Sequence, residues 1–358
     1  MGIALGGLAA GGRLFDSTFA ADPPTAGGKS LTFKNVPERL VKTTDLRTIR
    51  LKPVSAAFEG TFIQAMASDP RGELIAVAGD DHSIRILDVA TLKVLQRLSG
   101  HSDLIQTIQF DPSGNELISA GNDGQLILWD RNDDFRVKQR IDNAPALACV
   151  RFSPDGKELA AVGFDDQVYL IGPSKRAGRP KVQCDCTDLR AVDYRTDGKI
   201  LAVAGRSGDL HLFERATNRL LGEFQIHTGR VRALSFVDES SIVISVGEDG
   251  SVVLFDTEQQ TLASRIQVTR GKLFSVCLLD REHLAVAGSD NMVHIVNMPA
   301  GEVIARLPGH TGSIAALVSS GSLLFSGGYD TTLRRWQLSG IQGDRDRIAE
   351  REKPLDRE

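Results

Sequence analysis

The chain has 358 residues, 41% of them hydrophobic and 25% charged, with a formal net charge of -4. This is a globular composition, and its slightly acidic balance excludes a global attraction to nucleic acid or to anionic membrane surfaces. No apolar run approaches the roughly 18 residues of a membrane-spanning helix, and four cysteines, far apart except for Cys184 and Cys186, make no disulfide framework.

Residues 1–30 are rich in Gly, Ala and Pro. The stretch Phe19-Ala20-Ala21-Asp22-Pro23-Pro24 has the small residues of a cleavage site, yet no basic residue precedes Ile3, as a secretory signal requires. Two readings follow: a disordered leader on a cytoplasmic protein, or a weak signal peptide over residues 1–21 that exports it, for instance to a periplasm. The missing charge favours the first. Residues 31–47 alternate weakly and read as an approach segment.

From residue 48 to about 340 one unit repeats. Its clearest landmark is the Gly that ends a short apolar strand, at Gly79, Gly121, Gly163, Gly205, Gly247, Gly288 and Gly328. A period near 42 residues with several strands per unit is the signature of a β-propeller. The other parts stay in register. A first turn such as Asp111-Pro112-Ser113-Gly114 precedes a second strand (LIAVAG, ELISAG, ILAVAG), a third strand (SIRILD, QLILWD, SVVLFD) follows, and six units add a fourth. The seventh unit stops after its third strand, which leaves an open edge. Thr48 to Ser55 align with the fourth strand preceding the second unit, so they are expected to close the last blade beside Leu333 to Leu338. The expected fold is all-β: a seven-bladed propeller of four-stranded antiparallel blades, the last closed by an N-terminal strand. Residues 341–358 are densely charged and read as a disordered tail.

Three units share a finer motif. His101, Ser119, Asp123 and Trp129 recur as His227, Ser245, Asp249 and Phe255, and again as His310, Ser326, Asp330 and Trp336. With the Gly-His start and the Trp-Asp end of the second unit, the pattern resembles the WD-repeat propellers over residues 48–340. The four positions converge within a blade, so buried carboxylate and imidazole satisfy each other and Trp donates to Ser. Phe255 cannot donate, which predicts a weaker network in the fifth blade. Ser, His and Asp together also invite a hydrolase reading. Three copies inside a repeat argue against it, because an enzyme needs one site with an oxyanion hole.

Other candidates carry less. Cys184 and Cys186 lack the second ligand pair of a zinc site, and no cofactor is expected. Cys149 and Cys277 read as small core residues. His82, His211, His283 and His294 fall at different repeat positions and read as surface or packing residues. Lys175, Arg176, Arg179 and Lys181 lack the aromatic neighbours of a nucleic-acid site and read as a solvated outer loop.

The resemblance implies that partners dock on the narrower face, where first strands begin. The entering positions there include Phe62, Leu104, Gln106, Asp188, Arg190, Arg230, Arg232, Lys272 and Phe274, and the positions before the second turn add Arg206 and Tyr329. Arginine beside aromatic groups is what binding hot spots use. The expected function is a monomeric, non-catalytic scaffold that holds an acidic segment of a protein partner. Two alternatives stand: an enzyme or small-ligand sensor working through the central channel, or a fragment of a larger multidomain protein.

Overall fold

Blade 2 shows how the repeat folds. Ile105–Phe110 alternates, burying Ile105, Thr107, Ile108 and Phe110. The backbone then reverses at Asp111, whose carboxylate accepts from the amides of Ser113 (3.1 Å) and Glu116 (2.6 Å), and Gly114 takes the left-handed conformation (φ 70°) that closes the turn. Glu116–Gly121 and Leu126–Asp130 follow as buried apolar strands, and Arg136–Ile141 forms a mostly polar outer strand. The computed structural model describes residues 42–53, 60–142, 144–172, 181–183 and 188–339, and within them this hairpin series occurs seven times, as seven four-stranded antiparallel sheets. Blades 1 to 6 span 63–99, 105–141, 147–183, 189–225, 231–267 and 273–307, and blade 7 begins at Ile314.

The core lies between blades. One cluster joins Ala76, Ile84 and Leu98 of blade 1 to Phe110, Leu117 and Trp129 of blade 2. The alanines of the second strands let neighbouring sheets approach closely, and each buried apolar side chain then adds about 1.5–3 kcal/mol. The first strands of successive blades touch in a closed ring, and blade 7 meets blade 1. Their inner edges have no strand partner, so side chains seal them. Phe152 N donates to Gln109 Oε1 (2.8 Å), Phe236 N to an Asp193 carboxylate oxygen (2.8 Å), and Leu317 N to Ser275 Oγ (3.0 Å). Outer edges are blunted by β-bulges in the fourth strands of blades 1, 2, 4, 5 and 6.

The ring is closed by the N-terminal strand, as the repeat predicts, but with different bounds. The strand is Lys42–Arg50, antiparallel to Thr332–Ser339, with Arg50 opposite Thr332 and Ile49 opposite Leu333. Thr48 to Arg50 therefore belong to it, Pro53 does not, and residues 42–47 are strand rather than approach. Proline has no N–H to add to the ladder, and the last bond on this side runs from Leu51 N to Thr331 O (3.2 Å). Two buried arginines brace the closure. Arg85 Nη2 donates to Lys52 O (2.6 Å), and Arg335 Nη1 donates to the Ala90 carbonyl.

Lys181 begins the three-residue fourth strand of blade 3. The leader and approach segment up to residue 41, Lys175, Arg176, Arg179, Cys184, Cys186 and the charged tail lie outside the described residues. Among those described, no helix is long and apolar enough to cross a membrane.

Candidate partner-binding face

The three repeated quartets are geometrically alike. In blade 2, Trp129 Nε1 donates to Ser119 Oγ (2.9 Å), Ser119 Oγ lies 2.8 Å from His101 Nε2, and His101 Nδ1 lies 2.8 Å from Asp123. In blade 7 the matching distances for Trp336, Ser326, His310 and Asp330 are 2.9, 2.7 and 2.9 Å. Matching donors to acceptors gives the proton order. The indole donates to the hydroxyl, the hydroxyl donates to a neutral imidazole, and Nδ1–H donates to the carboxylate. Burial favours that neutral ring and holds the His101 and His310 pKa values below the ordinary range despite their aspartates. Burial is the largest influence on the Asp249 carboxyl and tends to raise it, but the hydrogen bond and charge of His227 together with the Ser251 and Thr228 amides outweigh it and leave the group below the usual carboxylate range. Blade 5 keeps His227, Ser245 and Asp249 together, while Phe255 packs on Phe224 (4.7 Å between centroids) in place of an indole bond. Each serine is sealed from solvent, at 0%, 1% and 0% exposure for Ser119, Ser245 and Ser326, so no substrate reaches these trios.

Blades 1, 3 and 6, which lack the entry-loop histidine, use a different partner for the turn acid; blade 4 has Ser207 at that turn position. Arg85 grips Asp81 (2.5 Å), Tyr169 donates to Asp165 (2.5 Å), and His294 Nε2 meets Asp290 (2.7 Å). Arg85, Tyr169, His211 and His294 share one register on the third strand. His211 and His294 are thus buried members of one repeat position, contrary to the scattered reading. In blades 1, 3 and 6 the signal was an acid four residues before a polar third-strand residue, where blades 2 and 5 carry Ile127 and Val253; blade 4 has Ser207 before His211, and blade 7 carries Arg334 although it keeps its histidine.

The entry face is shaped by one device. In every blade the first strand shifts register immediately after entry, as between Ile63 and Ala65 or between Leu189 and Ala191. The residue skipped is Gln64, Gln106, Ala148, Arg190, Arg232, Phe274 or Ala315. A bulge re-aims its side chain, and these seven, one per blade, together with Tyr329 line a cavity of about 100 Å³ at the channel mouth. The landmark glycines make room for it. A Cβ on Gly121 would fall on the Leu104 carbonyl oxygen, and one on Gly288 on that of Lys272.

The candidate residues separate accordingly. Gln106, Arg190, Arg232, Phe274 and Tyr329 meet at the mouth. Phe62 stands edge-on to Tyr329 (5.0 Å). Leu104, Arg230 and Lys272 sit on the entry loops and Arg206 on the second turn, all outside the lining. Arg190 stacks on Phe164 (4.0 Å) and pairs with Asp188 (2.6 Å), and Arg230 reaches Asp188 (2.8 Å) and Glu248 (3.3 Å). Glu248 also takes Arg232 (3.5 Å) and Lys272 (2.8 Å), while Arg232 lies over Phe274 (5.1 Å). Sequence reasoning missed Glu248 and Phe164, although both occupy the repeat position of Arg206 and Tyr329. Among the described residues no group of three or more His, Cys, Asp or Glu is placed to hold a metal ion.

Seven four-stranded blades, two tied by a complete His–Ser–Asp–Trp network and a third by His–Ser–Asp alone, define a β-propeller of the WD-repeat class. The family model described as the IFT122 first beta-propeller matches residues 62–337, blade 1 through blade 7, and the protein belongs to that family. No curated protein matched it.

Proposed function

We propose that this protein is a non-catalytic, monomeric interaction scaffold whose entry face docks an acidic segment of a protein partner. The observation that carries the reading is the sector of blades 4 to 6. Five cations, Arg190, Arg206, Arg230, Arg232 and Lys272, stand there against two carboxylates, Asp188 and Glu248. The ion pairs hold the guanidinium groups in place, and the remaining positive charge favours an acidic surface over a basic one. Phe62, Phe164, Phe274 and Tyr329 border the sector with the aromatic area that hot spots use. Closed ring geometry and bulged outer edges support a monomer, since few strand edges remain to recruit a second copy.

The test is capture of partners from native extract, with cross-linking mass spectrometry to locate the contact. Wild-type protein should capture a partner cross-linked through the entry face, and Arg230→Glu with Arg232→Glu should abolish that capture while the melting temperature stays within a few degrees. Undiminished capture by the double variant would remove this sector from consideration.

A further inference from the structure

We infer that the channel mouth is a socket for one carboxylate, the side chain of a Glu or Asp projecting from the docked segment. The inference rests on the entry-face reading and adds the chemistry of its centre. On one side of the cavity stand Arg190 and Arg232. Arg190 is held by Asp188 and the Phe164 ring, and Arg232 by Glu248 and the Phe274 ring. Arg190 Nε, buried, has no hydrogen-bond partner among the described residues. Opposite them runs a relay of amides. Gln106 Nε2 donates to Asn122 (3.0 Å), Gln64 Nε2 donates to Gln106 (3.1 Å), and the Tyr329 hydroxyl donates to Gln64 (3.4 Å).

Each amide NH2 carries two N–H groups and uses one in this relay, so the wall opposite the arginines also has donors to offer. Among the described residues, no carboxylate lines the cavity. The mouth is donor-rich and cationic, and about 100 Å³ admits a single small side chain rather than a folded segment. Burial, together with repulsion from Arg232 and Arg230, depresses the Arg190 pKa, and Asp188 only partly offsets it. An incoming anion relieves that crowding, whereas a Lys or Arg side chain would aggravate it.

The full-length protein, labelled at arginine, is titrated with N-acetylglutamate amide and, separately, with N-acetylglutamine amide, while NMR follows the guanidinium Nε–H signals of Arg190 and Arg232. The acid should shift both signals saturably and the neutral amide should not. Arg190→Gln or Arg232→Gln should weaken binding about tenfold or more, the loss expected for a charge-assisted hydrogen bond. Gln106→Glu leaves both arginines in place and puts a carboxylate in the mouth, so it should also exclude the probe. This variant keeps the test decisive where an arginine variant fails to fold. Equal shifts from both probes, a shift that never saturates, or full binding by Gln106→Glu would overturn the socket. Tighter binding of acetylglycine would overturn the side-chain assignment in favour of the terminal carboxylate of a peptide. If the probe fails while the double glutamate variant still loses its partner, the socket falls and the docking face stands. If the probe binds while that variant keeps its partner, the docking face falls and the socket stands.

Discussion

At the scale of single residues, the buried quartets act as structural ties. His101 satisfies both Asp123 and Ser119 in a site without bulk water. His101→Ala leaves a carboxylate and a hydroxyl without that partner and should cost about 2–3 kcal/mol, a drop of roughly 4–10 °C in melting temperature. Calorimetry checks this, with probe binding at the channel mouth as the readout that should not move. The same ties predict acid sensitivity. The folded-state pKa values of His101 and His310 lie below the ordinary histidine value of 6.5, so the neutral rings add stability above 6.5 that is lost as pH falls toward their folded values. Asp249 and Asp330, also depressed, lose their contribution further down, below 3.8. Asp193 opposes this trend. Burial pushes its carboxyl up to about 6 against the pull of Arg151, so protonating it favours the fold between about 6 and 3.8. A variant with His101→Gln and His310→Gln should be less stable at neutral pH and lose less on acidification than the wild type. Parallel melting curves across that range would exclude the histidines as the cause.

At the scale of the strand, the recurrent bulge decides what the repeat presents. Without it, the pleat would alternate side chains regularly along the first strand. With it, one residue per blade turns toward the axis, and the glycine opposite lets the backbone pass. Gly121→Ala should therefore displace the Leu104 carbonyl and cost about 1–3 kcal/mol. Gly172→Ala, where nothing among the described residues lies within 4 Å, serves as the neutral control in the same melting assay.

At the scale of the whole molecule, closure rests on the N-terminal strand and on Arg85. This guanidinium is 1% exposed, pairs with a sealed Asp81 and holds the Lys52 carbonyl. Arg85→Met would leave the buried carboxylate without its counter-ion, with hydroxyl donors such as Thr61 and Ser83 remaining, and should cost about 3–5 kcal/mol, more than His101→Ala. Hydrogen exchange should show the loss first at Thr332–Ser339, which pairs with the N-terminal strand. Uniform deprotection of all seven blades would show that the ring opens as one unit instead.

Much of this architecture was legible in the sequence itself. Seven glycines at near-constant spacing, with apolar runs between turn residues, specify seven blades because strand and turn chemistry are local and repetition multiplies a weak signal. The three His–Ser–Asp sets were legible for the same reason. Their register is kept from blade to blade by the hydrogen bonds they share. The N-terminal closing strand was legible in kind and misplaced in bounds, since the 42-residue offset carries no knowledge of where Pro53 ends the ladder. Other features belong to tertiary structure alone. Which of Leu104 and Gln106, or of Arg230 and Arg232, faces the channel depends on a bulge that shifts the alternation by one residue, and composition does not encode that shift. Glu248 and Asp188 temper a sector that reads as mainly basic along the sequence, because ion pairs form between loops of neighbouring blades. The repeat therefore determined the ring, and the packing of one blade against the next decided what stands at its centre.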